Sequence, residues 1–291
     1  MALAIWRLIM SEITAKILTK VIKKRPSNSH KGNYGRILLI GGNENYGGAI
    51  IMAAEAALNS GAGLISVATH AANLNALHAR NPEVMFIDWR DRNLLNLITK
   101  MDVIVCGPGL GTNSFAHQMM LTLCQNVSSN QTLVLDANAL DLIGQDPKLI
   151  PTSAGLIVLT PHQMEWQRLS QIRIPYQTDS ANLSALKKIF PTQNVILVLK
   201  SNRTHVYTST NEIFVNTSGN PGMATGGMGD TLAGIIGGFI AQFGGTLDPV
   251  LAAIYLHSLA GDKIAETDYV VRPTKISAIL PQLMNQYADK G

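Results

Sequence analysis

The stretch Arg36-Ile-Leu-Leu-Ile-Gly-Gly-Asn-Glu-Asn-Tyr-Gly-Gly-Ala49 decides the fold. Residues 37–40 are apolar at every position, the pattern of a strand covered on both faces, as in a parallel sheet. The run passes through Gly41-Gly42 to Tyr46-Gly-Gly-Ala49 and then into a helical pattern over 49–60. A strand that turns through glycines into a helix is a ligand-facing loop of an α/β sheet. The spacing is not G-x-G-x-x-G, which disfavours an ordinary dinucleotide fingerprint.

Similar runs recur outward from this stretch. Strands are predicted at 64–68, 84–87, Val103–Cys106, Thr132–Leu135, Leu156–Leu159 and Val195–Leu199. Helical patterns fall at 71–79, 114–125, 164–170 and 182–190, so the chain reads as a doubly wound, mostly parallel α/β fold with helices on both faces. After Leu199 the pattern alternates, and Thr204–Thr208 with 212–216 predicts an antiparallel edge hairpin. Helices are expected at 229–243, 249–260 and 274–286.

Of the 291 residues, 46% are apolar and 14% charged, which excludes a disordered chain. The net charge of +4 is unevenly placed: residues 1–35 carry +6 and the remainder −2. Positive charge confined to a leader disfavours nucleic acid as a partner. The apolar start, MALAIWRLIM, is broken by Arg7 and falls far short of the roughly 20 residues of a spanning helix. Residues 1–28 read as a basic amphipathic helix packing on the domain or a neighbouring subunit, and 29–291 as one domain. Cys106 and Cys124 cannot make a disulfide framework and suit a reducing cytoplasm.

Asn220-Pro-Gly-Met-Ala-Thr-Gly-Gly-Met-Gly-Asp230 runs directly into a small-residue helix. Gly226, Gly227 and Gly229 are expected to adopt angles closed to other residues and to let a ligand approach the main chain. The unpaired first-turn amides of the helix then form an anion site. Asp230 at that mouth suits a base acting on an acceptor hydroxyl; the plainer reading is a helix N-cap. Gly107, Gly109 and Gly111 open a loop at the end of a strand. Asp136 ends another strand, as a site residue or a turn aspartate. His162 and Glu165 stand three apart at a helix start, where Glu165 could hold a magnesium-bound water. Lys200 and the turn Ser201-Asn202-Arg203-Thr204 could carry a nucleotide. His257 and the other scattered histidines show no metal-ligand spacing with cysteine and read as incidental; His30 falls beside the substrate mouth.

Taken together, these segments resemble the nucleotide-dependent NAD(P)H-hydrate dehydratases of the ribokinase-like fold. The motifs are Lys31-Gly-Asn-Tyr-Gly, Gly41-Gly with Gly47-Gly-Ala49, Gly107-Pro-Gly-Leu-Gly111, Asp136-Ala-Asn-Ala-Leu140, Thr160-Pro-His162 with Glu165, and Gly226-Gly-Met-Gly-Asp230. The family's phosphate loop often reads Lys-Gly-Gly-Thr-Gly-Asp; Thr225 and Met228 stand here in place of the Lys and Thr. The resemblance implies ADP-dependent conversion of NAD(P)H hydrate to NAD(P)H with release of AMP and phosphate, magnesium as cofactor, and a cytoplasmic homo-oligomer, a tetramer being favoured. ATP is the donor in eukaryotic members. The leader is too short for the epimerase domain fused to many bacterial members, so a stand-alone form is expected.

The resemblance also implies roles. Asp230 would be catalytic. Ala49, Gly109, Gly111, His162 and Asp230 would contact the hydrate. Lys200, Ser201, Asn202, Arg203, Thr204, Gly226, Gly227 and Gly229 would contact the nucleotide, and Glu165 a metal. Two other readings use the same glycine loop: a small-molecule kinase of the same fold, and a nucleotide-binding protein without catalysis.

Overall fold

The computed structural model describes residues 10–288. Among them ten strands form one sheet. They are β1 (Met10–Glu12), β2 (Arg36–Ile40), β3 (Leu64–Thr69), β4 (Met85–Asp88), β5 (Val103–Cys106), β6 (Thr132–Leu135), β7 (Leu156–Leu159), β8 (Val195–Leu199), β9 (Thr204–Thr208) and β10 (Ile213–Asn216). The helices are α1 (Lys16–Val21), α2 (Gly47–Asn59), α3 (Leu74–Arg80), α4 (Leu94–Ile98), α5 (Ser114–Asn126), α6 (Asn138–Gln145), α7 (Gln163–Ser170), α8 (Asp179–Ile189), α9 (Met228–Phe243), α10 (Leu247–Ala265) and α11 (Pro273–Ala288).

The strand order is β1-β10-β9-β8-β7-β6-β5-β2-β3-β4, parallel except where β9 pairs antiparallel with β8 and β10. The expected doubly wound sheet with an antiparallel hairpin is therefore present, although β1 rather than the hairpin forms that edge of the sheet. Along β2 the side chains alternate between two cores. Ile37 and Leu39 face the core shared with α1, α2, α3, α9, α10 and α11; Leu38 and Ile40 face the core shared with α4 to α8. Chain order runs outward from β2 to β4, then returns to β5 on the other side of β2. The β2/β5 boundary is thus the switch point, beyond whose carboxyl ends open α/β sheets bind ligands.

The leader differs from the expected single helix. Its first nine residues lie outside the described ones. Residues 10–12 pair parallel with β10, Met10 opposite Ile213, and α1 then buries Leu18 and Val21. The outer edge of β10, which this segment covers, supplies hydrogen-bond partners that outweigh the weak local preference of Met-Ser-Glu for a strand. No helix among the described residues is long and apolar enough to cross a membrane.

Helix α9 crosses the sheet on its glycines. A Cβ at Gly234 would lie 2.1 Å from the Ala53 carbonyl oxygen of α2, and one at Gly237 would lie 2.6 Å from Val105 Cγ2 and 2.7 Å from Ile37 Cδ1. Backbones approach this closely only where side chains are missing. We expect Gly234→Val to force α2 and α9 apart and destabilise the protein by about 1–3 kcal/mol or more, since overpacking displaces backbone. Urea unfolding measures this; an unchanged midpoint would refute the close crossing.

Candidate active site

Two glycine loops are zipped together across the switch point. Gly42 N donates to the Pro108 carbonyl (2.9 Å), Asn43 N to that of Gly109 (2.7 Å), and Gly107 N to that of Ile40 (3.1 Å). Gly42, Gly107, Gly109 and Gly111 all adopt positive φ. A Cβ on Gly109 would stand 2.4 Å from the Tyr46 carbonyl oxygen and 3.2 Å from Ala49 Cβ. The loops therefore bring Ala49 and Gly109 together. Gly111 joins them by donating its N–H to Asn138 Oδ1 (2.9 Å) at the start of α6. Buried Asn73 fixes the first loop from behind, its Nδ2 donating to the Gly42 carbonyl at 2.6 Å.

The carboxyl ends of β6, β7 and β8 carry the charged groups. Asp136 is buried, and its Oδ1 accepts from Thr160 Oγ1 and from Lys200 Nζ, each at 2.8 Å. His162 caps α7: its Nδ1 accepts from the amides of Met164 (3.1 Å) and Glu165 (3.2 Å), while Glu165 Oε2 accepts from the His162 amide (2.8 Å). This is a capping box with histidine in place of serine. Burial raises the Glu165 pKa to about 7 despite the opposing charge of Lys200. Burial and Lys200 push the His162 pKa down, which favours neutral imidazole.

The N-terminus of α9 completes the arrangement. Its N-cap is Gly227, with φ +92°, so Asp230 is the third helical residue and the N-cap reading is corrected. Only Gly227 of the three loop glycines needs a left-handed backbone: Gly226 has open space around it, and Gly229 lies inside the helix. Among the described residues the Asp230 carboxylate has no hydrogen-bond partner. Burial, reinforced by repulsion from Asp136 and offset by Lys200, raises its pKa to about 6. A base poised there is ionised near neutrality and able to accept a proton.

A cavity of about 760 Å³ lies beside this terminus. Of the expected nucleotide residues, Lys200, Ser201, Asn202, Thr204 and Gly229 line it, as does His162; Arg203, Gly226 and Gly227 do not. The sequence reading missed several wall residues. Asn220 is held by Asp262, whose carboxylate accepts from Asn220 Nδ2 (2.9 Å) and from the Gly219 amide (3.0 Å). His257, taken as incidental, is buried in the wall and held neutral by burial and Lys200, with a pKa lowered to about 4. Its one sequence signal was a polar ring in a largely apolar helix. His30 stays outside the cavity wall and caps the turn at residues 31–34. Thr225 turns away from the phosphate loop, its hydroxyl donating to the Val271 carbonyl (3.3 Å).

Residues 37–282 match the family model described as NAD(P)H-hydrate dehydratase. A Lactiplantibacillus plantarum protein named ADP-dependent (S)-NAD(P)H-hydrate dehydratase is 52% identical, over 96% of this chain and 99% of its own. Among solved structures, a ribokinase-like superfamily protein from Enterococcus faecalis superposes with a TM-score of 0.90 at 48% identity, covering 96% of both chains. The Bacillus subtilis ADP/ATP-dependent NAD(P)H-hydrate dehydratase, co-crystallised with ATP/Mg2+, gives a TM-score of 0.80 at 23% identity, covering 95% of this chain and 98% of that one.

The glycine geometry separates two substitutions. Gly109→Ala places a Cβ against the Tyr46 carbonyl at a positive φ and is expected to cost about 1–3 kcal/mol. Gly226→Ala enters open space at an ordinary φ and is expected to be neutral within about 0.5 kcal/mol. Denaturant midpoints of the two variants check this, and equal shifts would contradict it.

Proposed function

The chain belongs to the NAD(P)H-hydrate dehydratase family, lyases that return hydrated NAD(P)H to NAD(P)H, with relatives named as ADP-dependent, and we propose that Asp230 is the base that starts this reaction. The hydrate carries a hydroxyl at C6 of the reduced ring, and hydroxide is a poor leaving group. Asp230 takes the hydroxyl proton as that oxygen attacks the terminal phosphorus of ADP, and AMP departs. The first-turn amides of α9 and the Lys200 ammonium stabilise the charge on the transferring group. The ring nitrogen lone pair then expels phosphate, and loss of the C5 proton restores the double bond. The supporting observation is a half-buried carboxylate without a hydrogen-bond partner, set in the first turn of a helix that opens on a nucleotide-sized cavity.

The hydrate reaches Asp230 from the side of Ala49, Gly109, Gly111 and His162. The nucleotide occupies the cavity of Lys200, Ser201, Asn202, Thr204 and Gly229, with Arg203, Gly226 and Gly227 at its margin. Magnesium fits as an ion carried mainly by the nucleotide phosphates. Among the described residues no three His, Cys, Asp or Glu side chains cluster to cage a metal, and one oxygen of Glu165 is taken by its own helix cap. Glu165 would meet the ion through water, and the ion would neutralise phosphate charge. We also read the protein as a cytoplasmic homo-oligomer, a tetramer on the family pattern. The free thiols Cys106 and Cys124 suit a reducing compartment.

Asp230→Asn is expected to bind ADP normally and to lose about 10²–10⁴-fold in rate. The wild type should lose activity below about pH 6 as Asp230 protonates, and the variant's residual activity should lack that limb. The sign for stability is opposite to that for rate. A carboxyl whose pKa is raised in the fold contributes stability below its unfolded value, and that contribution is lost as pH rises through the folded value. Asp230→Asn should therefore melt higher than the wild type at pH 8. Near-wild-type dehydration of NADHX by the variant would remove Asp230 from the mechanism. ADP should also support turnover far better than ATP; equal rates would contradict that choice of donor.

A further inference from the structure

Lys200 is surrounded by three carboxylates, Asp136, Glu165 and Asp230, with His257 in the same field. Only Asp136 touches it, through the 2.8 Å bond to Nζ. Asp136 itself cannot reach a ligand, because its side chain is 2% exposed. The surroundings lock its position. Thr160 donates to the same oxygen, and a Cβ at Gly107 would stand 1.8 Å from the Asp136 carbonyl oxygen. The next residue, Ala137, holds φ 47° and ψ −121°, a sparsely populated conformation that persists only where neighbouring contacts impose it. The same ammonium reaches α9: a Cβ at Gly229 would stand 3.0 Å from Nζ. The phosphate loop offers no lysine of its own, since position 225 is threonine and its hydroxyl is directed to Val271.

We propose that Asp136 is a positioning residue, which acts by holding the Lys200 ammonium against the first turn of α9 as the side-chain cation for the nucleotide's terminal phosphates. Released from Asp136, the ammonium would be free to pair with Glu165 or Asp230. It would then leave the phosphate site, and pairing with Asp230 would blunt the base. The proposal rests on reading the cavity as the nucleotide site.

A double-mutant cycle tests it. ADP dissociation constants by calorimetry, kcat with NADHX, and thermal melts are compared for the wild type, Asp136→Asn, Lys200→Met and the double variant. Each single substitution is expected to weaken ADP binding by about tenfold or more, and the double variant to match Lys200→Met within about twofold, since Asp136 then has nothing left to hold. A further full loss from Asp136→Asn in the Lys200→Met background would overturn the proposal, as would wild-type ADP binding by Asp136→Asn. If Asp136→Asn alone fails to fold because it strands a buried ammonium, a folded double variant shows the same coupling. Failure of both to fold would show that Asp136 serves the fold independently of Lys200, and would overturn it. Coupled losses of ADP affinity in a protein that never dehydrates NADHX would contradict the assigned reaction and leave this inference standing.

Discussion

The contact of α9 with α2 and the sheet governs everything at the active end of the molecule. Gly234, Gly237 and Gly238 give α9 a face without side chains, and Ala53, Val105, Ile37 and Ser60 fill the vacated space. That crossing fixes where α9 begins. Its first turn, with Gly229 and Asp230, lands beside the carboxyl ends of the strands and within reach of Lys200 at the end of β8. A helix held further out by ordinary side chains would carry its unpaired amides and its carboxylate away from the strand ends.

Charge at the site follows from that placement. One ammonium is set among three carboxylates in a partly buried space, where interactions are stronger than in water. The result is unequal. Asp136 takes the hydrogen bond to Lys200, whereas Asp230 and Glu165 keep raised pKa values of about 6 and about 7. Groups with such different environments can divide the work: one holds a cation, one is placed to accept a proton, and one caps α7. Environments that push titratable groups apart in pKa are characteristic of acid–base sites.

Most of this fold was readable from sequence because its strands are short runs buried on both faces, and their boundaries at Val103–Cys106, Thr132–Leu135 and Leu156–Leu159 coincide with those observed. The elements that escaped are held by tertiary contacts. Strand β1 exists because the outer edge of β10 supplies its hydrogen-bond partners, and α4 has only five residues. Helix α6 lay hidden behind Asp136-Ala-Asn, which reads as a loop. At the site, the glycine loops and Asp230 were legible as local patterns. The Asp136–Lys200 pair was not, since its members are 64 residues apart on strands that are not neighbours, with β7 between them. His257 was missed for a related reason: only packing shows that its helix faces the cavity.

On this mechanism phosphoryl transfer activates a hydroxyl that then leaves as phosphate. The most direct measurement is phosphorus NMR of the protein turning over NADHX with ADP, alongside recovery of reduced-nicotinamide absorbance. AMP, inorganic phosphate and NADH are expected in equal amounts. A stable phosphorylated product accumulating with AMP and without NADH would mark a kinase and contradict it, as would NADH formed without consumption of ADP.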